Sequence, residues 1–316
     1  MSQQNDGSGY HRGERAAQAR IGLAEKMAPL GELILQDAMP GQHRDFYEKL
    51  PLMFVGAADD DGNLWASVLA GEPGFIQSPT STELQIHSSF DALDPIAAAI
   101  RAGRDLGLLG IELETRRRNR LNARIESADA DGLRLEVKQS FGNCPKYIQR
   151  RQHRKREDQV AVSRKDFDTF DTATQAFIRQ ADTLFIASQF DDGENAANRG
   201  PDVSHRGGVP GFVEITDERR LSIPDYSGNN FFNTIGNLIE NPRAGLLFID
   251  FDSGSILSMT GRAEVIWAED EPLEIDGVER LIRFTLERGV RLDNLLPFEW
   301  QFEDYSPYSE RYARSG

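Results

Sequence analysis

The stretch of this chain best equipped for chemistry runs Leu221-Ser222-Ile223-Pro224-Asp225-Tyr226-Ser227-Gly228-Asn229-Asn230-Phe231-Phe232-Asn233-Thr234. It reads as a strand that breaks at a proline, passes through small polar residues and enters a helix with an amide-rich start. The first turn of a helix leaves backbone N–H groups unpaired and carries a partial positive charge, so such a junction can cradle a phosphate. Gly228 would let the backbone come close to a ligand, with Asn229, Asn230, Asn233 and Thr234 as further donors. An ordinary helix cap accounts for the same residues equally well.

Two other segments carry chemistry-bearing residues. In Ser204-His205-Arg206-Gly207-Gly208 the glycines free main-chain N–H groups to face a flat ligand, although a flexible hairpin loop would have the same composition. In Asn143-Cys144-Pro145-Lys146-Tyr147-Ile148, Asn143 is a helix cap with Pro145 in the first turn, which projects Lys146 and Tyr147. Cys144 beside cations is either a reactive thiol or a buried structural one. Basic clusters at Arg116, Arg117, Arg118 and Arg120, and at Arg150, Arg151, Arg154, Lys155 and Arg156, read as a solvated turn and face, or as a positive rim around a phosphorylated molecule. Phe298, Trp300 and Tyr305 either line a pocket or belong to the core.

Other signatures are missing. There is no Gly-x-Gly-x-x-Gly, no Walker loop and no His-Glu-x-x-His, and the histidines at 11, 43, 87, 153 and 205 form no helical metal pair, so no metal is expected. One cysteine excludes an intrachain disulfide or a four-cysteine cluster within this chain. No side chain stands out as a general acid or base, and the catalytic residues stay unassigned. The formal charge of −15 argues against a nucleic-acid partner. Apolar runs such as Leu246–Ile249 fall far short of the roughly 18 residues of a membrane span. A polar lead-in without a secretory pattern points to the cytoplasm.

The elements that must position these residues repeat. Phe54-Val55-Gly56-Ala57 before Asp60-Asp61-Gly62 resembles Phe185-Ile186-Ala187-Ser188 before Asp191-Asp192-Gly193, at an offset of 185 − 54 = 131. Pro73-Gly74-Phe75-Ile76 matches Pro210-Gly211-Phe212-Val213 at 137, and Gly107–Ile111 matches Gly245–Ile249 at 138. Conserved order with a drifting offset indicates a duplicated domain of 316 residues in all. The expected division is an extension over 1–40, a first barrel over 41–160 and a second over 161–316. Strands are expected at Leu52–Ala58, Leu64–Leu69 and Thr183–Gln189. Helices are expected at Glu14–Met27, Arg44–Leu50, Pro95–Ala102 capped by Asp94, Asp168–Ala181 and Asn230–Glu240. The tail from Asp293 is expected to pack as irregular chain.

Gly211-Phe212-Val213, Asp225 to Asn230, Asn241-Pro242-Arg243-Ala244-Gly245-Leu246-Leu247-Phe248 and Thr260-Gly261-Arg262-Ala263-Glu264-Val265 together resemble the pyridoxamine 5'-phosphate oxidase-like split-barrel flavoproteins. The Cys144-Pro145-Lys146-Tyr147-Ile148 run is similar to one in flavin-binding relatives. The resemblance covers about 175 to 290, and more weakly 45 to 140. It implies a mainly β (α+β) fold of two tandem FMN-binding split β-barrels with short flanking helices. It further implies an FMN site formed from Ser204, Arg206, Gly207, Gly208, Asp225, Tyr226, Gly228, Asn229, Asn230, Asn233, Thr234, Arg262, Lys146 and Tyr147. The family's cationic Arg-Lys pair falls here on Asn229-Asn230, so Arg206, then Lys146, are the expected substitutes. The first copy has His87-Ser88-Ser89-Phe90-Asp91 at the loop and is expected to serve mainly as packing partner.

The function this implies is FMN-dependent electron or hydride transfer to a small-molecule substrate, with a reduced nicotinamide or a separate reductase as donor, in a homodimer. An intramolecular pseudo-dimer is the alternative to the homodimer. True pyridoxamine-phosphate oxidase activity is not expected, because no histidine follows His205. A non-catalytic flavin sensor and a haem-handling relative are the rival readings.

Overall fold

The computed structural model describes residues 9–157, 160–193, 198–273 and 277–310. Three helices come first, α1 (Arg12–Arg20), α2 (Ala24–Ile34) and α3 (Gly41–Tyr47). The single helix expected over Glu14–Met27 is therefore two, broken at Ile21-Gly22, where Gly22 takes a φ of 71° that continues no right-handed helix.

Seven strands follow: β1 (Leu52–Ala58), β2 (Leu64–Ala70), β3 (Ile76–Thr80), β4 (Glu83–Ile86), β5 (Asp105–Glu112), β6 (Arg117–Asp129) and β7 (Gly132–Gly142). They form one antiparallel sheet in the order β2-β1-β5-β6-β7-β4-β3. A 3-10 turn at Pro95–Ala99, capped by Asp94, replaces the longer helix expected there. After β8 (Arg150–Lys155), β9 (Ser163–Phe167) and α4 (Thr172–Gln180, capped by Asp171) come the strands of the second sheet. These are β10 (Thr183–Phe190), β11 (Gly200–Gly207), β12 (Glu214–Ile215), β13 (Arg220–Tyr226), β14 (Arg243–Asp250), β15 (Ser255–Trp267) and β16 (Val278–Asp293), with α5 (Asn233–Glu240) before β14. Their order is β11-β10-β14-β15-β16-β13-β12, with β9 alongside β16. Replacing β1 to β7 by β10 to β16 converts one order into the other, so the fold is two split barrels of the same topology.

The sequence of β1 shows why both barrels need each other. Side chains alternate across a strand, yet Leu-Met-Phe-Val-Gly-Ala is apolar on both faces. Met53, Val55 and Ala57 fill the first barrel, and Leu184, Ile186, Leu246 and Phe248 fill the second. The opposite faces, with Leu52, Phe54, Leu109, Phe185, Ala187 and Leu247, form a third core between the barrels. Two glycines let the backbones close up across that core. A Cβ on Gly107 would lie 2.6 Å from the Pro201 carbonyl oxygen, and one on Gly245 would lie 2.7 Å from that of Leu64. Leu64 and Pro201 are counterparts in the repeat, so the contact is reciprocal.

The C-terminal segment corrects the expectation of irregular chain. Phe298–Asp304 is β17, which pairs antiparallel with β8 as a separate two-stranded sheet. Each of these strands leaves the last strand of its own barrel, and their pairing ties the barrels together on one side. Phe298 and Trp300 are buried in the shared core and, with Tyr305, stay out of the cavity described next. No helix among the described residues is long and apolar enough to cross a membrane.

Candidate functional site

A cleft with about 770 Å³ of empty space, counting the part that is open to solvent, lies where the barrels meet. The second barrel supplies β11, the end of β13 and the loop into α5, and the first supplies the start of β6 and the turn after β7. All the residues expected at a site line it except Gly208 and Arg262. Gly208 is held inside the fold, its N–H on the Asp182 carbonyl and its own carbonyl accepting from Gln149. Arg262 is exposed because its neighbours Gly261 and Ala263 face inward, which by strand alternation turns it to solvent.

Ser204 to Gly207 is paired strand, not a mobile hairpin. The missing side chain of Gly207 makes room for the chain itself: a Cβ there would lie 2.0 Å from the Tyr147 carbonyl oxygen. Asn143 caps no helix. Its side-chain oxygen accepts from the Cys144 N–H at 3.1 Å and from Asn229 Nδ2 at 3.0 Å, joining the first barrel's turn to the second barrel's loop. Tyr147 turns through a φ of 67°, stacks on Tyr226 with ring centres 5.3 Å apart and donates its hydroxyl to the Ser227 carbonyl at 2.9 Å. Lys146 lies over the Tyr308 ring.

Helix α5 begins later than expected, because Asn230 and Phe232 take left-handed φ values of 61° and 62°. Phe232 at its N-cap offers no side-chain acceptor to the first turn. Nothing lies within 4 Å of where a Gly228 Cβ would be, so the loop leaves open space. Thr234 donates to Ser204 Oγ at 2.7 Å, and Arg120 donates to the same oxygen. Cation, strand and helix start thus converge on one hydroxyl.

Arg118 and Arg120 come from the first barrel, so this copy lines the cavity as well as packing against the other. They stand two residues apart on β6, so alternation points both to one face. Burial, then Arg120 and Arg206 nearby, push the Arg118 guanidinium down to about 9, and burial also lowers Arg120. Arg118 Nε, Arg120 Nε and Nη1 and Arg206 Nε are buried without a hydrogen-bond partner among the described residues. Such groups cost free energy unless an anion or polar ligand meets them. Deeper in, Asp225 bridges Arg206 at 3.2 Å and Arg280 at 2.8 Å. His205 Nδ1 accepts from Arg118 at 3.2 Å, and burial with the surrounding arginines holds the ring well below its usual range, so it is neutral at pH 7.

Arg280, Phe232, His205, Asn143 and Cys144 also line the cavity and escaped the sequence reading as site residues. Arg118 and Arg120 were legible only as part of a basic cluster. Their neighbours divide differently: Arg116 pairs with Asp304, and Arg117 lies exposed over Phe46. Arg151 of the second cluster is spent on buried Asp182. Among the described residues no group of three or more His, Cys, Asp or Glu could hold a metal.

A second cavity occupies the counterpart position, lined by β2, the Ser88–Asp91 loop, the run Arg154-Lys155-Arg156-Glu157 and the turn at Asn294–Pro297. Strand registers align Phe54 with Phe185 and Leu109 with Leu247. On that alignment Leu69 stands where the first cavity has Arg206, Ile256 where it has Arg118 and Ser258 where it has Arg120.

Residues 170–284 match the family described as pyridoxamine 5'-phosphate oxidase. No curated protein matches the chain. Solved structures similar to parts of it include a putative pyridoxamine 5'-phosphate oxidase from Lactobacillus delbrueckii (13% identity, 39% of this chain and 94% of that one, TM-score 0.31). Others are an FAD-binding protein from Mesorhizobium loti (14%, 42% and 99%, 0.28) and the haem storage protein HutZ from Vibrio cholerae (14%, 39% and 94%, 0.27).

Proposed function

Since residues 170–284 match the pyridoxamine 5'-phosphate oxidase family, we propose that the chain is an FMN-dependent oxidoreductase whose flavin sits in the cavity between its two barrels. The observation that carries this reading is the set of buried arginine N–H groups on Arg118, Arg120 and Arg206 that have no partner among the described residues. A phosphate dianion beside the uncapped start of α5 would meet them, and would also relieve the repulsion among the three cations. Arg118 and Arg120 replace the cationic pair missing from Asn229-Asn230. Ser204 and Thr234 order the cradle, and Asn143 fixes the loop at Asn229.

Bound FMN would supply the hydride chemistry at its ring, with a reduced nicotinamide or a reductase as donor and a small organic molecule as acceptor. The protein's part is orientation and exclusion of water. Tyr147 and Tyr226 wall one side, and Asp225 holds Arg206 and Arg280 in place. On this reading the two barrels are duplicated copies and the flavin site is completed within one chain rather than across a homodimer, which the lining of the cavity by both barrels supports.

The test is to purify the protein, denature it and chromatograph what it releases. FMN, together with bleaching of the oxidised flavin band on anaerobic addition of NADH or NADPH, supports the reading. Haem, FAD or no chromophore after incubation with FMN would sink it.

A further inference from the structure

The helix α1 reaches the cavity from behind. Where it crosses α5 the two backbones touch: a Cβ on Gly13 would lie 2.2 Å from the Gly236 carbonyl oxygen, and one on Gly236 would lie 2.4 Å from the Glu14 nitrogen. Only glycine at both positions permits this approach, and it delivers Glu14 into the interior at 3% exposure. The Glu14 carboxyl meets the side-chain amide of Asn233, a cavity-lining residue in the first turn of α5, at 2.5 Å, and accepts from the His11 N–H at 2.9 Å. Gln18, one turn further along α1, donates to the Asn230 carbonyl. An element outside both barrels thus holds two residues of the phosphate loop.

We infer that Glu14 is a positioning residue of the cofactor site, acting through Asn233, and that α1 is a working part of that site. This rests on the flavin reading above. The groups facing Glu14 are His11 and Tyr10 on its own segment, Asn233 and Gly236 on α5, Asp202 on β11 and Arg120 on β6. Burial, then the Asp202 carboxylate, push its carboxyl up to about 8, while burial keeps His11 neutral at about 4. At pH 7 Glu14 is therefore the neutral acid. It needs an acceptor for its proton, which the amide oxygen of Asn233 provides once the amide is turned over. Ionisation would place an anion behind the phosphate and remove that bond.

The experiment is FMN titration by fluorescence quenching of the unaltered chain, Glu14→Gln and Glu14→Ala between pH 7 and 9, where the phosphate stays a dianion. Melting of each apoprotein is measured in parallel. The unaltered chain should weaken about five- to tenfold over this range, as one proton must be taken up for binding. E14Q, with one donor and one acceptor, should restore binding at pH 7 to within about threefold and halve or abolish the slope. E14A should bind at least roughly tenfold more weakly at pH 7 while still melting cooperatively. Parallel slopes for the unaltered chain and E14Q, or unweakened binding by E14A, would overturn the role of Glu14 and leave the flavin reading intact. No binding by the unaltered chain would overturn both.

Discussion

Phe54 and Phe185 stack on one another with ring centres 3.6 Å apart and planes 14° from parallel. They are the same residue of the repeat, one from β1 and one from β10. A residue meeting its own counterpart marks the local axis of an isologous contact, the geometry by which two-fold dimers close. Here that contact is made inside one chain, and the cavity with the arginines lies to one side of it.

One flavin is expected per chain, because Leu69, Ile256 and Ser258 stand at the counterparts of the three buried arginines, and the cations that do border the second cavity, Arg154, Lys155 and Arg156, come from a different segment. Flavin absorbance against protein concentration, after saturation with FMN and desalting, measures it. A ratio near two would mean that the loop at Ser88–Asp91 binds without counterparts of the three buried arginines.

Arg118→Gln should weaken FMN binding at least roughly tenfold, since a hydrogen bond to a charged group is worth about 1.5 to 3 kcal/mol and each 1.4 kcal/mol is about tenfold. The apoprotein should melt no lower than the unaltered one, because the change removes a buried cation beside Arg120 and Arg206 and keeps a donor for His205. Calorimetry with and without FMN separates the two effects. A fall in both would assign Arg118 to folding.

Asn230→Asp places a carboxylate beside the phosphate while keeping a residue type that tolerates the left-handed φ of 61°. Lost donation and repulsion at an effective dielectric near 20 together should cost about a hundredfold in affinity. Ser89→Asp, in the counterpart cavity, should cost far less. Equal losses would place the flavin in the wrong barrel.

Stability should also report on Glu14. Its folded value of about 8 lies above the ordinary carboxyl value of 4.5, so the folded state holds a proton that the unfolded chain releases, and stability falls as pH rises from about 4.5 to 8. His11, lowered to about 4, acts oppositely between 4 and 6.5. The Tm of Glu14→Gln minus that of the unaltered chain should therefore grow from pH 5 to 8 and level off above. A difference that does not change with pH would show that Glu14 is ionised throughout.

Gly245→Ala should lower stability by about 1 to 3 kcal/mol by overpacking, because the new methyl meets the Leu64 carbonyl at 2.7 Å. Gly107→Ala, its counterpart, should cost a similar amount. Denaturant unfolding of both measures this. A large cost at only one of them would mean that the barrels slide rather than separate.

Much of this frame was legible in the sequence. Phe54 and Phe185 gave away the repeat because their strands are apolar on both faces, a local property. Asp94 marked a helix start because capping is local too. What escaped depends on the other barrel or on a distant helix. Arg118 and Arg120 read as either a solvated turn or a positive rim because nothing in their neighbourhood reveals that β11 covers them. Glu14 was legible only as the start of a helix, since its burial comes from Gly236, 222 residues away (236 − 14). Arg262 was misplaced because motif resemblance does not carry strand phase, which the inward-facing Gly261 and Ala263 decide.

The joining of the barrels by β8 and β17, and by the unbroken chain between them, has a consequence for how the protein behaves at low abundance. Two halves on separate molecules would part as they are diluted, and a site between them would empty by mass action. Halves on one chain see each other at an effective concentration set by the connection, not by the number of copies in the cell. The cavity between the barrels is thus equally well formed at a few molecules per cell and at many.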